Sequence, residues 1–104
     1  MIESLTDPSV RAFVAAVNAG DKDAFYAALA EDATMSDDGS ERDLDQWVES
    51  EIFSTDGNME VESEDDDGRT LIVNYMNSKW GSMRTSWKFT ASDGKITRFE
   101  TGQA

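Results

Sequence analysis

Apolar residues recur every three or four positions in the first half of the chain and every two in the second. Val10, Phe13, Val14 and Val17 fall at i, i+3, i+4 and i+7, the stripe of a helix that buries one face. Asp7-Pro8 predicts its start: Asp accepts an orphan backbone N–H, and Pro at the first helical position loses nothing by lacking its own. Asn18-Ala19-Gly20 predicts its end, with Gly supplying a left-handed residue. Asp21 is placed to cap a second short helix with Ala24, Phe25, Ala28 and Leu29 inward. Residues 31–37 read as a short extended segment and Asp38-Gly39 as a turn. Asp43, with Gln46 three residues on, resembles a capping box for a third helix whose apolar face is Leu44, Trp47, Val48 and Ile52. The run 54–58 is loop chemistry.

From Met59 the period becomes two. Met59 and Val61 alternate with Glu60 and Glu62, and Asp67-Gly68 is a hairpin signal. Arg69 to Asn77 is then a strand, apolar at Leu71, Val73 and Tyr75. Met83, Thr85, Trp87 and Phe89 alternate with Arg84, Ser86 and Lys88 as a half-buried strand. Asp93-Gly94 turns the chain, and Ile96 to Thr101 is the last strand before a frayed end. Helices first and hairpin-linked strands after predict an α+β fold, with helices packed on one face of a curved, mostly antiparallel sheet. No repeat or linker interrupts the pattern, so residues 1–104 are expected to form one domain.

Composition narrows the function classes. The chain has 22 acidic and 9 basic residues, a formal charge of −13. The basic residues are scattered singly, whereas nucleic-acid binding requires them to displace counterions from phosphate. Nucleic acid and anionic membranes are therefore not expected partners. The acidic excess reads either as a solvated, self-repelling surface or as adaptation to salt. Mean hydropathy is −0.56, yet 10% of residues are aromatic, unlike the composition of disordered chains. Cysteine and histidine are both absent. That removes disulfides, thiolate catalysis, the usual near-neutral base and the commonest zinc ligand. No cofactor and no metal are expected. No apolar run is long enough to cross a bilayer, and Met1 to Leu5 lacks the basic and apolar regions of a signal peptide, so the expected compartment is cytoplasmic.

Two stretches carry a resemblance to a known family. Ala15-Ala16-Val17-Asn18-Ala19-Gly20-Asp21, followed by Asp32-Ala33-Thr34, resembles the amino-terminal half of the ketosteroid-isomerase-like (SnoaL-like) proteins of the nuclear transport factor 2-like superfamily. Trp87-Lys88-Phe89 and then Asp93-Gly94-Lys95-Ile96 resemble that family's closing hairpin. The order of elements agrees over nearly the whole chain, although 104 residues is short for the family. The resemblance implies a cone-shaped roll, a pocket between helices and the concave sheet face, and homodimers packed through the sheet. It does not fix a reaction, because this fold hosts isomerases, cyclases, dehydratases and non-catalytic modules.

By motif position, the family's proton-shuttling base is Asp37. A carboxylate in an apolar pocket loses solvation and becomes a stronger base. The family's isomerases also stabilise an enolate with a tyrosine and a protonated aspartate. The matching positions here are Phe13, which has no donor, and Thr85, a far weaker acid. Such donors are worth about 3–4 kcal/mol each, so the resemblance supplies a pocket and a base but not ketosteroid isomerisation. Asp37 also reads as an ordinary turn residue before Asp38-Gly39.

Phe13, Trp47, Tyr75, Trp87 and Phe99 are candidates to line the cavity, and each is equally a core residue. Trp80, in a hairpin loop, reads as a pocket lid, a dimer contact or packing on its own hairpin. Tyr26 reads as a hydroxyl at a pocket mouth or as a surface residue. Glu64 to Gly68 lacks the ligand spacing of a calcium loop and reads as a charged hairpin tip. Two functions remain open. One is a small-molecule pocket that binds an apolar ligand and moves a proton with Asp37. The other is a non-catalytic homodimeric module whose cone is filled by its own side chains.

Overall fold

Three helices lie against a six-stranded curved sheet in a computed structural model that describes residues 5–104. The elements are α1 (Pro8–Ala19), α2 (Lys22–Ala27), β1 (Leu29–Asp37), β2 (Ser40–Arg42), α3 (Leu44–Val48), β3 (Asn58–Asp65), β4 (Thr70–Asn77), β5 (Gly81–Ser92) and β6 (Lys95–Gln103). The strand order is β2-β1-β6-β5-β4-β3. All neighbours are antiparallel except β1 and β6, which run parallel. The architecture is α+β, as the change of period predicts. No helix among the described residues is long and apolar enough to cross a membrane.

The caps form where the sequence places them. Asp7 accepts from the backbone N–H of Ser9 and Val10, Asp21 from that of Ala24, and Asp43 from that of Gln46. Gly20 closes α1 at φ 65°. Asp38-Gly39 and Asp93-Gly94 are two-residue turns in which all four residues have positive φ, the twist that suits a hairpin. The Asp67-Gly68 signal opens into a three-residue 3-10 turn, Asp66–Gly68, with both aspartates left-handed.

Some boundaries differ from the sequence reading. Helix α2 stops at Ala27, so Ala24 is exposed rather than inward, and Leu29 is buried from a strand. A helix of six residues turns less than twice, and Phe25 is the one side chain of α2 that reaches the core. Helix α3 does not run on to Ile52 as an α-helix. It widens into a π turn over Glu49–Phe53, which still delivers Ile52 to the core. Strand β6 continues past Thr101 to Gln103 because β5 pairs with it as far as Thr85↔Gln103.

Phe13 joins helix to sheet. Its ring centroid lies 5.0 Å from Phe89, 5.0 Å from Phe99 and 4.8 Å from Phe25, and all four rings are buried. Trp87 packs at 6.0 Å from both Phe13 and Phe99. Each such pair adds about 0.5–1.5 kcal/mol beyond its area burial. At the other end of α1, the Asn18 side chain pairs with the backbone of Met59. Its Nδ2 donates to the Met59 carbonyl at 2.9 Å, and its Oδ1 accepts from the Met59 N–H at 2.6 Å. The amide thus serves the edge of β3 as a one-residue strand partner.

Asp7 holds the start of α1 and reaches Arg69 beyond the 3-10 turn at 3.0 Å. Burial works to raise its pKa, but hydrogen bonds from Ser9, Arg69 and the backbone of Val10 and Ser9 outweigh this and lower it to about 2. A carboxyl depressed in the folded state stabilises the protein above its unfolded pKa and loses that contribution as pH falls. We expect Asp7→Ala to cost about 1–2 kcal/mol at neutral pH. The gap from wild type should close between about pH 4 and pH 2, as urea denaturation across that range would show.

Candidate functional site

The π turn after α3 and the strand ends opposite it enclose a cavity of about 580 Å³. That volume is in the range of small-molecule sites. Its floor is aromatic: Trp87 and Tyr75 rise from neighbouring strands β5 and β4, and Trp47 comes from α3. Trp87 lies 5.9 Å from Tyr75 and 6.3 Å from Trp47, centroid to centroid. All three tryptophans of the chain, Trp47, Trp80 and Trp87, line this one space.

The rim is polar. Asp37 and Asp38 stand at the end of β1 and in the turn after it, Asp43 caps α3, and Glu51 lies in the π turn. Arg42 is the one basic residue of the lining. Asp37 is half-buried, and its Oδ2 accepts from the indole Nε1 of Trp47 at 3.1 Å. Asp38 accepts from the backbone N–H of Gln103 at 3.0 Å, which ties the turn to β6.

Glu51 organises the opposite wall. Its backbone carbonyl accepts from the hydroxyls of Tyr75 at 2.6 Å and Thr55 at 2.9 Å, and from the Asn77 amide at 3.1 Å. Its carboxylate accepts from Lys79 Nζ and from Trp80 Nε1, both at 3.0 Å. Burial raises the Glu51 pKa, but the Lys79 and Trp80 hydrogen bonds prevail and hold it below the usual carboxylate value. Burial, together with the field of Glu51, pushes the Tyr75 phenol well above its ordinary value, and the neighbouring Asn77 amide offsets part of this. Single π turns inside helices occur often at functional sites. Here the turn aims one residue at the strand, the hairpin loop and the cavity together.

Comparison with known proteins follows the fold. No family model matches the sequence, and no curated protein matches it. Solved structures do. A candidate polyketide cyclase from Sinorhizobium meliloti superposes with a TM-score of 0.73 at 23% identity, covering 89% of this chain and 92% of that one. A nuclear transport factor 2-like protein of unknown function from Cytophaga hutchinsonii gives 0.69 at 18%, over 89% and 84%.

The chain has the nuclear transport factor 2-like fold.

A computationally designed binder of 17-OHP shares this nuclear transport factor 2-like fold, with a TM-score of 0.72 at 14% identity over 89% and 86%. Within the fold, Asp37, Trp47, Tyr75, Thr85 and Trp87 come together at the cavity. Phe13 and Phe99 lie behind the floor, fully buried in the core, and do not line it. The tip of the cone is thus filled by side chains, and the open space is at its mouth. The lining is also less apolar than the aromatic candidates suggest, because strand ends and a helix cap bring carboxylates to the rim.

Thr85 has its hydroxyl already engaged. It donates to the Val73 carbonyl at 3.2 Å and accepts from Trp87 Nε1 at 2.8 Å. Trp80 is 59% exposed and overhangs the mouth. Tyr26 lies elsewhere, donating to Asp45 at 2.9 Å, and burial together with that bond raises its pKa to about 12. Glu64, in the acidic run, accepts from the N–H and hydroxyl of Thr6. The sequence reading missed Glu51 and Asn77. Neither belongs to a motif, and their roles appear only once the π turn meets β4.

Gly57 makes the Tyr75 bond possible. A Cβ there would lie 2.3 Å from the Tyr75 hydroxyl oxygen and 3.2 Å from the Ile52 Cα. Gly57→Ala should therefore destabilise by about 1–3 kcal/mol through overpacking. The same substitution in a Tyr75→Phe background should cost less, since the colliding atom is gone. A double-mutant cycle by thermal denaturation reads the difference.

Proposed function

We propose that this protein binds a small ring-bearing molecule in the cavity at the mouth of the cone and that Asp37 accepts a proton from it. The observation that carries the reading is Asp37 itself. It is a half-buried carboxylate on the cavity wall, oriented by the Trp47 indole and facing an aromatic floor. A base held in place by an aromatic donor, next to a surface that stacks rings, suits abstraction of a proton from carbon. The S. meliloti structure, described as a candidate polyketide cyclase, is in keeping with such chemistry.

The wall also restricts the reaction. The hydroxyls of Tyr75, Thr85 and Ser50 donate to backbone carbonyls, and Phe13 has none to give. With these hydroxyls engaged, the cavity favours a substrate that spreads the charge of its own enolate. The fitting substrates are those whose acidic carbon lies between two carbonyl groups. Asp37 takes the proton, the electron pair spreads over both carbonyls, and the proton returns at the same or a neighbouring atom.

A specific observation also favours the alternative of a non-catalytic module: the cone's interior is packed by Phe13, Phe25, Phe89 and Phe99. In that reading the sheet carries a homodimer, and the mouth is a surface depression. The two readings separate in one experiment.

A thermal-shift screen of steroids, polyketide fragments and aromatic acids should yield a ligand. At about 100 times Kd it adds about 2.7 kcal/mol, worth roughly 10–20 °C for a domain of this size. Asp37→Asn keeps an acceptor for Trp47 and should keep that binding. Deuterium exchange into ethyl 2-oxocyclohexanecarboxylate, followed by NMR, should slow by about 100-fold or more in the variant. Equal exchange by both proteins would end the role of Asp37 as base, and no stabilisation across the panel would favour the self-filled module.

A further inference from the structure

We infer that the cavity selects an organic cation, a ring compound carrying an ammonium group, over neutral and anionic compounds of the same shape. The inference rests on the reading of the cavity as a ligand site and names the class of its ligand.

Three observations converge on it. The first is the wall: Trp47, Trp80, Trp87 and Tyr75 line one space, and the face of the Trp80 ring already meets a cation. The face of an aromatic ring carries negative potential and attracts a cation within about 6 Å, most strongly when water is excluded. The second is the charge of the lining, with Asp37, Asp38, Asp43 and Glu51 set against Arg42 alone. The low-dielectric walls of a cleft focus such a field, and the −13 charge of the whole chain has the same sign.

The third observation shows two of these residues, Glu51 and Trp80, holding a cation. The mouth already holds an ammonium of the protein's own. Lys79 Nζ sits 3.0 Å from Glu51 Oε2 and 5.3 Å from the centroid of the Trp80 ring. Glu51 and Trp80 are both lining residues, and the Trp80 indole N–H is fixed by the other oxygen of the same carboxylate at 3.0 Å. The pair is therefore a formed ammonium site at the cavity entrance. An incoming amine competes with Lys79 there, and across the cavity Asp37 and Trp47 repeat the pairing of carboxylate and indole at 3.1 Å. A carboxylate ligand has in its favour only Arg42 on the lining and Lys79 at the entrance, the latter already paired with Glu51, against four carboxylates.

The test uses three probes that share one ring system: 2-naphthylmethylamine, 2-naphthylmethanol and 2-naphthoate, titrated by calorimetry at neutral pH. The amine should bind at least about tenfold tighter than the alcohol, and the carboxylate most weakly. The preference should shrink in about 1 M salt, which screens the rim charges. Lys79→Met removes the resident competitor from an exposed position, and it should raise amine affinity several-fold while changing alcohol affinity less. Glu51→Gln should do the reverse. Alcohol or carboxylate binding as tightly as the amine overturns the inference, as does an amine-to-alcohol ratio unmoved by Lys79→Met. If none of the three binds but a neutral compound from the thermal-shift panel does, the cation preference fails and the pocket stands. If nothing binds at all, both fail.

Discussion

The structure depends on one helix being held against a sheet by one ring. Phe13 has Phe25, Phe89 and Phe99 around it, and Trp87 closes the group from the side of the cavity. The curved sheet cannot leave this face uncovered, because Met35, Leu71, Val73, Trp87, Phe89, Ile96 and Phe99 all point to it. Removing an aromatic ring from such a centre usually costs 3–5 kcal/mol, a large part of the stability of a domain this size. The same packing sets the depth of the cavity. Rings fill the cone from its tip, and what they leave open is the mouth, where Trp87 is both the last core residue and the floor of the site.

Around that floor the chain solves two problems with one residue. The π turn must be fastened to β4, and the β4–β5 loop must be kept over the opening. Glu51 does the first with its carbonyl, which gathers Tyr75, Thr55 and Asn77, and the second with its carboxylate, which gathers Lys79 and Trp80. The bonds to the carbonyl are largely sheltered, and those to the carboxylate are more exposed. Exposed ion pairs contribute little to stability. The wall is therefore fastened behind and adjustable in front.

Much of this was legible in the residues. The stripe of α1, the alternation of β4 and β5, the three aspartate caps and the Asp-Gly turns each rest on local chemistry, and each formed where that chemistry places it. The order of elements read from the residues agrees with the family resemblance, and Asp37 lines the cavity. Other features depended on register between distant strands. Nothing local announces that Asn18 will serve as a strand partner for Met59, or that the Thr85 hydroxyl will turn to Val73. The aromatic candidates show the limit well. Alternation tells which face of a strand a ring occupies, but not how far along the cone it lies. Phe99 and Trp87 share a face, and only one of them meets the cavity.

The parallel pairing of β1 with β6 has a consequence for how the chain acquires its shape. Thr34 and Arg98, hydrogen-bonded across that pair, are 64 residues apart. Every other neighbouring pair in the sheet is joined by a turn or a short loop, except that β1 waits beside β2 alone until β6 arrives. Until then Met35 and Phe13 have no Phe99 to cover them. Distant pairings of this kind slow folding, because a large loop must close before any contact rewards it. The β3–β6 meander can assemble locally, so it is the natural template on which β1 later docks. A nascent chain emerging from the ribosome would hold its helices in waiting, with an apolar face exposed, and in that interval it would be most open to chaperones and most prone to associate with its own kind.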